Sequence, residues 1–268
     1  NRKALEQAII LADSAILGNV HYNMASALSN EGSLQESLIH WDHALSYVST
    51  TRDSARILNE KGAVFVESGD PDQALGYFLS ALKKCEETDS KLKSRIYNEL
   101  GFLYRSIDEY DTALWYFKER SKLKTALEGT KVHRAYMNIG LIHLDLHEYD
   151  SAIKYFNLSY EGMKGQNEVY GLSIYHNNMG SAYSDMQEFE KALPYAEKAI
   201  HYKKMLGNKN RLANSYNLMS FILLGLKQYQ EAEKYAELSL NLIDTLSMSK
   251  VRYNALRYLI ESRVGQKD

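Results

Sequence analysis

One cysteine and two prolines in 268 residues exclude several architectures at once. With Cys85 alone no intrachain disulfide forms, which suits the cytosol and equally a disulfide-free periplasmic domain. Pro71 and Pro194 stand far apart, and no Pro/Gly/Ser-rich stretch reads as a linker. Long apolar runs are missing too. "AIILA" at 8–12 and "FILLGL" at 221–226 fall far short of the roughly 20 residues a membrane helix needs. Charge of one sign is lacking as well: 32 Lys+Arg against 34 Asp+Glu leave a formal −2. Nucleic acid and direct membrane insertion are therefore excluded as expectations. No signal peptide is visible, and the first residue is Asn1.

Catalytic signatures are equally scarce. There is no phosphate loop, nucleophile elbow or EF-hand loop. His143 and His147 have the i, i+4 spacing of paired metal ligands. His143, however, falls in a packing column with Tyr104 and Tyr183, and His147 falls at a turn. His40 and His43 flank Trp41 at i, i+3 and read as a surface pair, and Cys85 in "KKCEE" reads as a solvated thiol. No catalytic residue, metal or cofactor is assigned, and the chain is expected not to be an enzyme.

What the chain does have is 21 tyrosines and a repeat. Small residues recur at Ala25, Gly62, Gly101, Gly140, Gly180 and Ser220. Twelve residues behind each comes a second small column: Ser37, Ala74, Ala113, Ala152, Ala192 and Ala232, spaced by 37, 39, 39, 40 and 40. Four residues further stand Trp41, Phe78, Phe117, Phe156, Ala196 and Ala236. Apolar residues at 3–4 spacing on both sides of turns such as "SIDEYD" make each unit two amphipathic helices. Where the two helices cross, a small residue lets the backbones approach and a facing aromatic fills the hollow.

These columns resemble the tetratricopeptide repeat family. Its signature is matched by Tyr97-x2-Leu100-Gly101-x2-Tyr104 and then Ala113-x3-Phe117. The fourth unit keeps Tyr136, Ile139, Gly140, Ala152 and Phe156; the fifth keeps Met179, Gly180, Tyr183 and Ala192 but has Ala196 in the aromatic column. The first unit is degenerate, with Ala25, Leu28, Ser37 and Trp41. The period exceeds the usual repeat of about 34 residues, and the closing proline is missing. In style the long units look like the repeat regions of Bacteroidetes-type bacterial sensor kinases and regulators. The resemblance implies an all-α fold, a right-handed superhelical α-solenoid forming a single domain over 1–268. Its repeats are expected at about 18–51, 52–90, 91–129, 130–169, 170–209 and 210–248. Residues 1–17 read as the second helix of a preceding repeat and 249–268 as the first helix of a further one. Neither end carries a polar cap, so a piece of a longer protein is expected.

Two polar ladders run through the first helices. Three residues before the small column stand Tyr22, Asn59, Asn98, Met137, Asn177 and Asn217; three earlier stand Asn19, Arg56, Arg95, Arg134, Ile174 and Asn214. Asparagine costs about half a kcal/mol relative to alanine in a helix interior, and arginine in a first turn opposes the macrodipole. A carboxamide offers both the donor and the acceptor that an extended backbone needs. The candidate groove residues are therefore Arg56, Asn59, Arg95, Asn98, Arg134, Asn177, Asn178, Asn214 and Asn217. A scaffold reading stands beside this one: Arg56–Glu60 and Arg95–Glu99 are i, i+4 pairs, and the asparagines can brace neighbouring repeats. Arg134 has Asn138 four residues on, so no local carboxylate answers it. The resemblance implies a scaffold that binds a protein or peptide segment in its concave groove, as the sensor or interaction region of a larger signalling protein. An RNA-binding helical repeat and a purely structural scaffold are the alternatives.

Overall fold

The computed structural model describes residues 14–85, 89–123, 132–165, 168–243 and 249–267. These form thirteen α-helices, with no strand among the described residues. The chain divides into two compact units, 1–128 and 129–268. The first contains α1 (Ser14–Asn30), α2 (Leu34–Tyr47), α3 (Thr51–Glu67), α4 (Pro71–Lys84), α5 (Ser90–Ser106) and α6 (Tyr110–Lys122). The second contains α7 (Val132–Asp145), α8 (Tyr149–Met163), α9 (Val169–Asp185), α10 (Phe189–Leu206), α11 (Lys209–Gly225), α12 (Tyr229–Leu242) and α13 (Ser249–Gly265). Consecutive helices pair as hairpins, α1/α2 through α11/α12, and α13 packs on α11 and α12. Most of the helix expected at 1–17 lies outside the described residues, which begin at Ser14. No described helix is long and apolar enough to cross a membrane.

The small columns close the hairpins. A Cβ added at Gly62 would lie 2.5 Å from the Phe78 ring, at Gly101 2.6 Å from Phe117, and at Gly140 2.6 Å from Phe156. All three rings are fully buried, so the absent side chain is the space the ring occupies. In the fifth hairpin the ring position is Ala196, and a Cβ on Gly180 would meet the Ala196 backbone N at 3.5 Å and Tyr195 Cβ at 3.6 Å; in the sixth the ring position is Ala236, and the Ser220 hydroxyl donates to Ala232 O at 2.8 Å.

Each hairpin turn is a Schellman loop. In α5/α6 the Glu109 amide donates to Tyr104 O at 2.9 Å; Glu148, Glu188 and Gln228 donate to His143, Tyr183 and Leu223 at 2.8–2.9 Å. The residue before each donor is left-handed: Gly32 and Gly69 in the first two hairpins, then Asp108, His147, Gln187 and Lys227 at φ near +60°. Among the described residues, side-chain caps start four of the helices. Thr50, Asp70, Asp89 and Asn208 accept from the amides of Asp53, Gln73, Leu92 and Arg211 at 3.0–3.1 Å.

Candidate functional site

In the first unit, the starts of α3 and α5 enclose a cleft of about 310 Å³ lined by Arg52, Asp53, Arg56, Asp89, Lys91, Leu92 and Arg95. A second recess of about 130 Å³ shares Asp53 and Arg56 with it and runs to Asn19, Tyr22 and Tyr47 of the α1/α2 hairpin. Two of the sequence-predicted residues, Arg56 and Arg95, thus meet in one cleft, with the ladder positions Asn19 and Tyr22 along its extension.

Each arginine is held by a specific partner. Asp89 caps α5 through Oδ1 and places Oδ2 2.7 Å from Arg52 Nε, tying the cap of one repeat to the helix of the one before. Arg56 Nη2 lies 3.5 Å from Asp53, and its guanidinium sits 4.4 Å above the Tyr22 ring, a cation–π arrangement. Arg95 Nη2 is 2.7 Å from Glu60 Oε1. The close ion pair of Arg95 thus bridges to the preceding repeat, while the i, i+4 pairs read from the sequence, Arg56 with Glu60 and Arg95 with Glu99, remain as electrostatic attractions. The helices also begin earlier than the sequence reading has them, at Thr51 and Ser90. Arg56 and Arg95 therefore stand in the second turn, where the macrodipole matters less. Burial pushes both Glu60 and Glu99 above the usual carboxylate range, with Arg95 pulling each back.

Arg52 and Lys91 are the cleft residues that the ladders missed, although the signal was there. Each lies four residues before a ladder arginine, so two consecutive repeats carry the same cation pair 39 residues apart. Cations in the lining outnumber carboxylates four to two.

The asparagines divide into different environments. Asn59 is 1% exposed, and neither amide atom has a hydrogen-bond partner among the described residues. Asn98 is half-buried, with Nδ2 3.4 Å from Glu99. In the second unit Asn177 Oδ1 accepts from both Lys203 Nζ (2.7 Å) and Ser215 Oγ (2.8 Å). Asn178 reaches Met137 Sδ at 3.3 Å, and Asn217 donates to Val251 O at 2.8 Å. These three connect successive repeats. Asn214 is exposed and contacts only Asn210 O of its own helix, at 3.5 Å, among the bonds described. Arg134, unanswered in the sequence reading, lies 4.0 Å from Glu168 at the start of α9, a partner 34 residues away. Lys203 is buried; burial, then Arg211, lower its pKa to about 8.

His143 stacks on Tyr155 and lies 2.6 Å from Glu148, while His147 faces Tyr149, so the i, i+4 histidines do not converge. His40 and His43 are not a simple surface pair, since His21 of α1 joins them. Among the described residues no group of three His, Cys, Asp or Glu is arranged to hold a metal ion.

The family model described as tetratricopeptide repeat matches residues 53–126, 131–205 and 171–245. Solved structures share the fold at low identity. The signal transduction ATPase with numerous domains that carries a tetratricopeptide repeat sensor, from Pyrococcus horikoshii, is 17% identical with a TM-score of 0.78; the match covers 98% of this chain and 43% of that one. Aspartyl phosphate phosphatase F from Bacillus subtilis is 14% identical, covering 98% of this chain and 74% of that one, with a TM-score of 0.71. The apo form of RapI is 17% identical, covering 93% and 98%, with a TM-score of 0.68. This chain thus spans under half the length of the Pyrococcus protein. No curated protein matches the sequence. Repeats of this kind are protein-interaction scaffolds, and with the family model covering well over half of its residues the chain belongs to the tetratricopeptide repeat family.

Proposed function

We infer that the chain is a non-enzymatic scaffold that holds an extended, acidic segment of a partner protein along the starts of α1, α3 and α5. One observation carries this reading: Arg52/Arg56 and Lys91/Arg95, the same cation pair in two consecutive repeats, line a single cleft. Neighbouring helices pack about 8–10 Å apart and an extended chain rises about 3.3 Å per residue. A bound segment would meet one pair roughly every third residue. Planar guanidinium groups suit carboxylates, and Arg52, Arg56 and Arg95 are 43–67% exposed, which leaves donors open to a ligand. The sensor region named in the Pyrococcus relative supports a further step, a sensing or interaction role within a larger signalling protein.

The test is an immobilised library of extended peptides of graded acidic content, probed with the purified chain. Acidic peptides are expected to bind, and Arg56→Ala or Arg95→Ala to weaken binding by about 1–3 kcal/mol while the helical circular dichroism is kept. Equal binding of neutral and acidic peptides, or unchanged affinity in both variants, would overturn the assignment.

A further inference from the structure

Three imidazoles meet in the first hairpin. His21 of α1 is 8% exposed, and its Nδ1 lies 2.8 Å from Nδ1 of His40 on α2. The His21 ring centroid is 5.0 Å from that of His40 and 4.8 Å from that of His43; His40 and His43 are 6.5 Å apart. Tyr47 stacks on His21 from the end of α2, at 5.9 Å and 17°.

A bond between two ring nitrogens needs one N–H and one lone pair. It survives with both rings neutral or with one protonated; with both protonated, two donors face each other and the bond is lost. Among the described residues counter-charge is sparse. α1 contains no Asp, Glu, Lys or Arg. On α2 Glu36 acts on His40, while Asp42, beside His43, is taken by Lys61 of α3 at 2.5 Å, itself a cation facing the hairpin. Of the other charged groups that α3 turns toward this end, Asp53 and Arg56 pair with each other, and Glu60, which acts on Tyr22, pairs with Arg95 of α5.

We propose that His21, His40 and His43 form an acid-sensitive latch, which holds α1 against α2 through the His21–His40 bond and releases it when both of those rings are protonated, His43 adding its charge to the repulsion. The consequence reaches the cleft wall. Trp41, between His40 and His43, packs edge-on against Tyr22 at 4.8 Å, and Tyr22 carries the Arg56 guanidinium. Release of α1 therefore removes one side of the smaller recess, whether or not a partner peptide binds there.

Burial, with the neighbouring imidazoles, holds His21 and His40 below the ordinary histidine value of 6.5. The folded hairpin then binds fewer protons than the unfolded chain, so its stability is complete above pH 6.5 and falls as pH drops through that value. The experiment follows Trp41 emission from pH 7.5 to 5 in full-length chain carrying Trp115→Phe, which leaves Trp41 as the only indole. A reversible red shift is expected below pH 6.5 and abolished in His21→Gln/His40→Gln. In His43→Gln its midpoint should move to lower pH, because the His43 charge no longer adds to the repulsion in the closed hairpin and the pKa gap between closed and released rings narrows. The same transition in the double variant, or none in the parent, would overturn the proposal. Should the double variant not fold, imidazole NMR titration of the parent decides: His21 and His40 titrating at or above pH 6.5 refutes the latch.

Discussion

The hairpins α5/α6 and α9/α10 follow one template and spend it differently. In α5/α6 Gly101 lies under the Phe117 ring, and Arg95 turns into an open cleft. In α9/α10 the aromatic position is Ala196, and the nearest atoms to a Cβ on Gly180 are Leu218 Cδ2 at 3.2 Å and Ala196 N at 3.5 Å. The counterpart of Arg95 there is Ile174, and Asn177 is locked to Lys203 and Ser215. One hairpin is closed by a ring and leaves its polar ladder to the surface. The other is closed by backbone contact and turns its ladder inward as a brace.

The largest expected effect breaks the ring closure. Phe117→Ala removes a fully buried aromatic and should cost about 3–5 kcal/mol in urea unfolding. Gly101→Ala overpacks the same crossing, at about 1–3 kcal/mol. Gly180→Ala asks the end of the Leu218 side chain, 3.2 Å from the new Cβ, to give by a few tenths of an ångström and gains up to about 1 kcal/mol of helix propensity, so it should be close to neutral. Combining Gly101→Ala with Phe117→Ala should cost less than the sum, since the ring that the new Cβ strikes has gone. Equal costs at Gly101 and Gly180 would show that the hairpins close alike.

The brace comes next. Asn177→Ala strips the acceptor from a buried ammonium and a buried hydroxyl and should cost about 1–3 kcal/mol. Arg95→Ala breaks a half-exposed ion pair, worth at most about 1 kcal/mol. Lys203 adds a pH signature. Its pKa falls from 10.5 unfolded to about 8 folded, so between those values the unfolded chain binds the extra proton and stability rises with pH. Denaturant midpoints should climb from pH 8 to 9 in the parent relative to Lys203→Met, a range below the one in which the tyrosines whose pKa burial raises, such as Tyr175 and Tyr258, act in the opposite sense.

The hairpin pattern was legible because close approach imposes a small residue at fixed intervals, and Gly62, Gly101 and Gly140 serve as those residues. The ladders were legible as columns, but their partners were not. Glu60 for Arg95, Glu168 for Arg134, and Lys203 with Ser215 for Asn177 all sit 26–38 residues away on neighbouring helices. Side-chain pairing across repeats depends on which atoms the packing brings within reach, and a repeat period does not encode that. His21 escaped notice for the same reason, standing 19 residues from the His40 it touches.

The smallest effect concerns the turns, where the comparison extends to the first two hairpins. Gly32 and Gly69 occupy the left-handed position, and a Cβ added at either would meet nothing within 4 Å, so φ rather than space selects glycine there. Asp108 and Gln187 adopt the same conformation with side chains that disfavour it, at φ 62° and 60°. A left-handed L-residue costs roughly 1–2 kcal/mol, and glycine gives part of that back through the larger entropy of its unfolded chain. Asp108→Gly and Gln187→Gly should therefore each stabilise by about 0.5–1 kcal/mol. Asp108 has more to lose, since its carboxylate accepts from the Tyr110 hydroxyl at 2.8 Å. Gln187→Gly should accordingly show the larger gain, and thermal unfolding of the two variants side by side measures whether that single hydrogen bond reverses the order.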